Sequence, residues 1–240
     1  MMTPLVVVVS IMAVAMIWLL RQTVNVKPWI EEQAVESAPS GASFSLPPAT
    51  VGLGVFLAVA TSLFVLTICA YFMRMMAADW RTFVFPSVLW LNTGLLILSD
   101  LAMRSARAAA RRGGIDRVRT GLIATGIFSF AFLVGQIWAW QQLNASGYFT
   151  TADAGGAVAA GPANSFFYLF TALHGVHVLG GLWVWGRTTA RVWQGADAAR
   201  VRLSVELCTV YWHYLLVVWL VLLALLIPAI SELCRGHLSF

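Results

Sequence analysis

The stretch LSVELCTVYWHYLLVVWLVLLALLIPAI, residues 203–230, decides the fold class of this chain. It contains one carboxylate, Glu206, and no lysine or arginine. A helix rises about 1.5 Å per residue, so roughly 20 apolar residues are enough to cross a bilayer. The stretch also lacks the alternation of apolar and polar residues that strands of a membrane barrel have. It therefore predicts a transmembrane helix.

Five more apolar runs of similar character precede this one. They are Leu5–Leu20, Thr50–Met73, Val84–Met103, Thr120–Leu143 and Ala163–Gly186. Helices that are apolar on all sides belong in lipid or against one another. We therefore predict an all-α, polytopic transmembrane helical bundle of about six spans. Residues 49–240 are expected to form a five-helix membrane domain, and residues 1–48 an uncleaved N-terminal anchor and a connector that contains Pro and Glu.

The overall composition supports a membrane protein. Of the 240 residues, 60% are hydrophobic and 10% are charged, whereas soluble domains are about 25% charged. So few ionisable side chains cannot cover a water-facing surface, which excludes a soluble globular fold. The 12% of aromatic residues excludes disorder. The sequence contains no CxxCH haem-attachment motif, Walker loop or GxGxxG motif, so a soluble catalytic domain is not predicted.

The basic residues predict the orientation of the bundle. The loops 21–49, 104–119 and 187–202 carry 12 of the 15 lysines and arginines. Because positive charge accumulates in cytoplasmic loops, these loops are expected inside and the C-terminus outside, in a prokaryotic inner membrane. The net charge of +5 is thus a topology signal, and no nucleic-acid partner is predicted.

Three histidines lie within the predicted spans. His174 and His177 are three residues apart, which predicts that both rings lie on one helix face. Two imidazoles with that spacing, joined by His213, could bind copper or iron. Alternatively, His177 and His213 could be axial ligands of haem, or the histidines could donate hydrogen bonds between helices. No carboxylate or cysteine accompanies them at ligand spacing.

Asp100 is a carboxylate within the third predicted span, where it could relay protons. However, it lies roughly 21 Å along the helix from Pro86, close to the inner interface. Arg104 follows it by four residues, which is a favourable spacing for an ion pair. The pattern favours an interfacial ion pair, and Glu206 with Arg202 is interpreted in the same way. Gly175, Gly180 and Gly181 are expected to allow close helix contact in the fifth span.

Four short segments occur in one order along residues 50–230. They are LNTGLLILS at 91–99, Gly135-Gln136, FFYLFTALHGVHVLGG at 166–181 and YWHYLLVVWL at 211–220. Together they resemble the motifs of subunit III of the haem–copper oxidases. The usual form of that family has seven spans, and this chain resembles a short form that lacks the first two.

The resemblance implies an accessory, non-catalytic subunit of a proton-pumping haem–copper terminal oxidase in aerobic respiration. Such a subunit has no catalytic, cofactor-binding or metal-binding residue, and the haems and copper are expected in partner subunits. The implied partners are oxidase subunits I and II, membrane phospholipids and a larger respiratory assembly. The residues that match the family's motifs are then structural, with the histidines as internal hydrogen-bonding groups. These residues are Asn92, Thr93, Gln136, His174, His177, Tyr211, Trp212, His213 and Trp219.

Two alternatives remain open beside this interpretation. The first is the similar accessory subunit of nitric oxide reductases, which also tends to lack the first two helices. The second is a di-haem membrane anchor that uses His177 and His213. The sequence also departs from its family, because Ala139, Leu216 and the run 56–63 stand where relatives often have carboxylates. This departure argues against proton relay by the subunit itself.

Overall fold

A computed structural model describes residues 47–77, 85–145, 162–195 and 198–227. Within these ranges the chain forms α1 (Pro48–Met75), α2 (Val88–Arg111), α3 (Ile115–Ala145), α4 (Pro162–Trp193) and α5 (Ala198–Leu226). Every regular element in the described ranges is an α-helix, which confirms the predicted all-α fold. The first apolar run, Leu5–Leu20, and the connector to residue 46 lie outside the described residues.

The start of α1 and the turn between α2 and α3 follow from the backbone preferences of proline and glycine. α1 begins at Pro48, and proline suits the first turn of a helix because its missing N–H has no intrahelical acceptor there. A tight turn joins α2 to α3 through Gly113, whose φ of 74° lies in the left-handed region. In that turn the backbone N–H of Gly114 donates to the carbonyl oxygen of Ala109 at 3.1 Å. The glycine turn makes α2 and α3 antiparallel neighbours.

α5 is the central helix of the bundle. Within its apolar section 72% of the residues are buried, compared with 22% for α1. α5 packs against α2 and α4, α2 packs most closely on α3, and α4 also contacts α3. α1 contacts α4 and α5 and contributes less to the core. The arrangement is therefore a four-helix bundle of α2 to α5 with α1 at its side.

Small residues allow α2 and α3 to approach closely. A Cβ atom added at Gly121 would lie 2.8 Å from the Cβ of Ala106 and 3.1 Å from the carbonyl oxygen of Ala102. A Cβ at Gly135 would overlap the side chain of Asn92. Because lipid provides no hydrophobic force between helices, such close packing is a main source of their association.

The glycines expected to pack in α4 are only partly used in this way. A Cβ at Gly181 would meet the ring of Tyr211 on α5. In contrast, no atom of the described residues lies within 4 Å of a Cβ at Gly175 or Gly180. The expectation was wrong for these two residues, because glycines in one segment occupy several faces of a helix.

The helices extend past the apolar runs at the end that carries the arginines. α2 continues to Arg111 and α3 begins at Ile115, both beyond the predicted runs. Backbone hydrogen bonding does not stop where apolar residues stop, so an apolar run marks the hydrocarbon section and not the whole helix. By length and hydropathy α1, α3, α4 and α5 could each cross a membrane. α2 is not among these helices, because Asn92, Asp100 and Arg104 interrupt its apolar run and lower its mean hydropathy.

Large apolar side chains cover the outside of the bundle. On α1, Val55, Val59, Leu66 and Met73 are each more than 60% exposed. A water-soluble monomer rarely exposes a continuous apolar surface of this kind. These faces are suited to contact with acyl chains or with other membrane helices.

The contact between Gly121 and α2 gives a first testable prediction. We expect Gly121→Ala to lower the free energy of unfolding by about 1–3 kcal/mol, because the added methyl group meets the α2 backbone. Thermal denaturation of the detergent-solubilised chain, followed by circular dichroism, measures this change. Gly94→Ala on α2 is the matched control, since a Cβ there meets no atom of the described ranges within 4 Å. Equal melting temperatures for the two variants would contradict the proposed contact.

Candidate functional site

Polar side chains in the bundle gather along α5 in layers. We call the end with the α2–α3 turn and the start of α5 the arginine end. From there the layers continue to the opposite end, where α5 finishes at Leu226. In each layer a side chain of α5 contacts a side chain of at least one other helix.

The first layer surrounds Glu206 at the arginine end. The carboxylate is 4% exposed and accepts a hydrogen bond from Nε of Arg111 at 2.9 Å. Nε of Arg202 lies 3.8 Å and Nε of Arg107 lies 3.9 Å from the same oxygen. Three guanidinium groups therefore surround one buried carboxylate and join α2 to α5.

The predicted pair of Glu206 with Arg202 is thus only part of this layer. Arg107 and Arg111 come from α2, and Arg111 makes the shortest contact. A sequence signal for them exists, since Asp100, Arg104, Arg107 and Arg111 are spaced by four, three and four residues. That spacing predicts one charged face on α2, although it does not predict that α5 covers this face.

The second layer joins Asp100, Arg104 and His213. Nε of Arg104 lies 2.8 Å from Asp100, as the spacing of four residues predicts. Nη2 of Arg104 lies 2.6 Å from Nδ1 of His213, and both Asp100 oxygens lie 3.4 Å from that nitrogen. Asp100 is 2% exposed, so its carboxylate is covered by the bundle. Arginine can only donate and a carboxylate can only accept, so the tautomer of the ring decides whether Nδ1 of His213 accepts from Arg104 or donates to Asp100.

The third layer lies between α2, α3 and α5. The hydroxyls of Ser99 and Ser129 are 2.8 Å apart, and Ser99 donates to the carbonyl oxygen of Thr125 at 3.2 Å. Nε1 of Trp212 donates to Ser99 at 2.9 Å and lies 3.2 Å from Ser129. Sequence reasoning did not identify either serine, because a serine in an apolar run has no distinctive pattern.

The fourth layer lies nearer the opposite end. Nε1 of Trp219 donates to the hydroxyl of Thr93 at 3.0 Å and joins α5 to α2. Nε2 of His174 donates to the carbonyl oxygen of Leu215 at 3.1 Å and joins α4 to α5. The ring of Trp219 also packs edge-on against Phe132, with centroids 5.1 Å apart.

The three histidines lie against different neighbours. His177 donates from Nδ1 to the carbonyl oxygen of Leu173 at 2.8 Å, and its ring packs on Phe64 of α1. The hydroxyl of Tyr211 donates to the carbonyl oxygen of His177 at 2.8 Å. The ring of His174 contacts Phe132 and Trp219 instead, and that of His213 lies beside Asp100. The spacing of His174 and His177 therefore does not produce a shared site.

Within the described residues, no group of three or more His, Cys, Asp or Glu side chains is arranged to hold a metal ion. His177 packs on α1 and His213 faces α2, so these two imidazoles are not directed at one common ligand position. The described polar residues donate and accept hydrogen bonds between helices.

Among the described residues, two side-chain hydrogen bonds join α1 to α5, and the sequence did not predict either of them. The hydroxyls of Thr61 and Tyr214 lie 3.1 Å apart. The hydroxyl of Tyr71 donates to the carbonyl oxygen of Leu225 at 3.1 Å. A tyrosine near the end of an apolar run is usually interpreted as an interfacial residue, which hides such an interhelical role.

Taken together, the helices and their buried polar layers define a polytopic α-helical membrane protein. Its family follows from comparison with known proteins. The family model for cytochrome c oxidase subunit III matches residues 2–227, and the chain belongs to that family.

Individual relatives have low but consistent identity. The probable cytochrome c oxidase subunit 3 of Mycobacterium tuberculosis (strain ATCC 25618 / H37Rv) is 28% identical over 130 residues, which cover 54% of this chain and 60% of that protein. The subunit 3 of Synechocystis sp. is 30% identical over 135 residues, or 56% of this chain and 53% of the relative. That of Thermostichus vulcanus is 28% identical over 181 residues, or 73% and 85%. The chain thus spans about three fifths of the length of the mycobacterial relatives it matches.

The buried carboxylate of the first layer gives a second prediction. Glu206→Gln removes the negative charge from among three guanidinium groups. Breaking a fully buried ion pair costs about 3–5 kcal/mol, and we expect a smaller cost here because the side chains of Arg111 and Arg202 are 47% and 34% exposed. We expect a clear fall in the melting temperature of the purified chain. Asp116→Asn is the matched control, because the side chain of Asp116 is 91% exposed and its contact with Arg119 is 3.6 Å long. An exposed pair contributes at most about 1 kcal/mol.

If Glu206→Gln and Asp116→Asn leave the melting temperature equally unchanged, the first layer does not hold α2 to α5. A fall with Glu206→Gln at low salt that disappears at high salt would also contradict a buried pair, since buried charges are screened little.

Proposed function

We propose that this chain is an accessory, non-catalytic subunit of a proton-pumping haem–copper terminal oxidase of the cytochrome c oxidase type. The observation that carries the proposal is the match of the subunit III family model over residues 2–227. The haems and copper of the complex would lie in partner subunits. The chain would stabilise the catalytic subunit within an aerobic respiratory chain.

The chemistry of the described residues supports a structural role. Trp212, Trp219 and Tyr211 donate hydrogen bonds to other helices, and so does Nε2 of His174. Asp100 and Glu206 both lie within 4 Å of arginines. Groups that are occupied in this way stabilise a bundle and are poorly placed to react with a substrate. The residues that match the family's motifs are therefore proposed to be structural.

The apolar outer faces support association with other membrane helices and with lipid. α1 exposes a row of valine, leucine and methionine side chains that a second helical subunit could cover. We propose subunits I and II of the oxidase as the protein partners and membrane phospholipids as occupants of the remaining surface. The arginine end is proposed to face the cytoplasm of a prokaryotic cell, because the basic loops lie there.

Isolation of the native complex tests this function directly. A tag on the chain should co-purify a haem-containing subunit and a copper-containing subunit, identified by mass spectrometry and by the visible spectrum of the complex. The complex should consume oxygen with a reduced respiratory donor. Co-purification with a nitric oxide-reducing enzyme would transfer the accessory role to that class. Haem absorbance of the chain purified alone would favour a haem anchor.

We propose that Asp100 is a structural partner of Arg104 and His213 and that it does not relay protons. The 2.8 Å contact with Arg104 and the burial of the carboxylate support this role. Asp100→Asn should therefore leave the number of protons pumped per electron unchanged in the reconstituted complex. It should also lower the melting temperature, because Arg104 loses its buried counter-charge.

Asp116→Asn is the control here as well, since it changes the same chemistry at an exposed position of the arginine end. A lower pumping ratio for Asp100→Asn, with an unchanged melting temperature, would reverse the assignment and make Asp100 a proton carrier.

A further inference from the structure

Three helices each bury a polar side chain in which one or more polar atoms have no hydrogen-bond partner within the described residues. Asn92 on α2 is fully buried and Gln136 on α3 is 4% exposed, and neither amide oxygen nor amide nitrogen has a hydrogen-bond partner there. His174 on α4 is also fully buried, and its Nδ1 has no partner in the part of the chain that the structure describes. Such groups are uncommon in native proteins, and each one requires an explanation.

The energetic cost makes a dry arrangement of these side chains unfavourable. Burying an amide without a hydrogen bond costs about 1–3 kcal/mol by mutational measurements. Within the hydrocarbon section of a membrane there is no bulk water to relieve that cost. Two amides and an imidazole nitrogen in one bundle would therefore consume much of the stability that its packing supplies.

Ring contacts, hydrogen bonds and sequence neighbours connect the three side chains through one pair of aromatic rings. Asn92 packs against Gly135, and Gln136 is the next residue along α3. Phe132, one helical turn before Gln136, has its ring centroid 5.6 Å from that of His174 and 5.1 Å from that of Trp219. Trp219 in turn donates to Thr93, the neighbour of Asn92. The unpartnered groups thus belong to one region between α2, α3 and α4, which we call the amide pocket (Asn92, Gln136 and His174).

The available donors and acceptors decide which occupant fits the amide pocket. The two amides offer N–H donors and carbonyl acceptors together. Nε2 of His174 donates to Leu215, so Nδ1 of the neutral ring accepts. A cation would leave the N–H groups unpaired, and an anion would leave the carbonyl oxygens and Nδ1 unpaired. The occupant must be small and neutral, and it must both donate and accept.

We infer that the amide pocket binds ordered water, held by Asn92, Gln136 and His174. A buried water typically makes about three hydrogen bonds to polar groups that would otherwise be unsatisfied, which these side chains supply. The bound water would connect α2, α3 and α4 in the part of the bundle where the fourth polar layer lies. The inference rests on the contacts of this chain and not on its proposed function.

Radiolytic labelling can detect such water inside the protein. A short X-ray pulse splits bound water into hydroxyl radicals, which oxidise the nearest side chains, and mass spectrometry locates the added oxygen. The full chain, in detergent with its native partners, is irradiated in H₂¹⁸O. We expect Trp219 to take up label although it is fully buried.

Trp212 is the matched internal control. It lies on the same helix and is only 1% exposed, but its N–H donates to hydroxyls that already have partners. Label on Trp219 well above that on Trp212 supports the inference. Equal labelling of both indicates opening of the whole bundle, and no label on either indicates a dry interior, so each of these results would overturn it.

A double variant tests whether the amides hold the water. Neither amide has a hydrogen-bond partner among the described residues, so replacing both with apolar side chains leaves no described group unpaired, and Asn92→Leu with Gln136→Leu should fold. Its label on Trp219 should fall to the level of Trp212. Label that persists in a folded double variant would show that the water is held elsewhere and would refute the assignment. If the variant does not fold, the comparison of the two tryptophans in the native chain remains decisive.

Discussion

A polar group buried in a membrane bundle cannot hydrogen-bond to bulk water and must find a partner inside the protein. The rest of this structure depends on that constraint. Backbone amides in the middle of a helix are satisfied within that helix, so the side chains carry the contacts that distinguish one helix pair from another. Trp212 bonds to hydroxyls of α2 and α3, Trp219 to a hydroxyl of α2 and Tyr211 to a carbonyl of α4. One helix thus specifies the positions of three others through a small number of donors.

The layers along α5 differ in whether their contacts are ionic or neutral. At the arginine end the contacts are ionic, with Glu206 and Asp100 each held by guanidinium groups. Toward the opposite end they are neutral hydrogen bonds such as that of Trp219 with Thr93. This change from ionic to neutral contacts follows the local polarity, because charge is tolerated near a membrane interface and is costly in the hydrocarbon section. The same reasoning explains why an unpartnered amide pocket in the apolar part of the bundle calls for water.

The sequence predicted the helices better than it predicted the contacts between them. Apolar runs predicted all five described helices, and the family motifs in order predicted the subunit III family, which the family model confirms. The pair of Asp100 with Arg104 also follows from spacing within one helix. In contrast, the contacts of Glu206 with Arg107 and Arg111 join residues about 100 positions apart, and no local pattern encodes such a distance.

The sequence by itself determined that this chain is a bundle of apolar helices, because only helices and closed barrels span a membrane and a continuous apolar run lacks the alternation of barrel strands. It also determined the end at which positive charge collects. Only the tertiary structure decided which helix occupies the centre and which polar atoms meet. His174 and His177 share a helix three residues apart, but one ring packs on Trp219 and the other on Phe64. The neighbours of a side chain depend on how the helices pack, and packing is a property of the whole bundle.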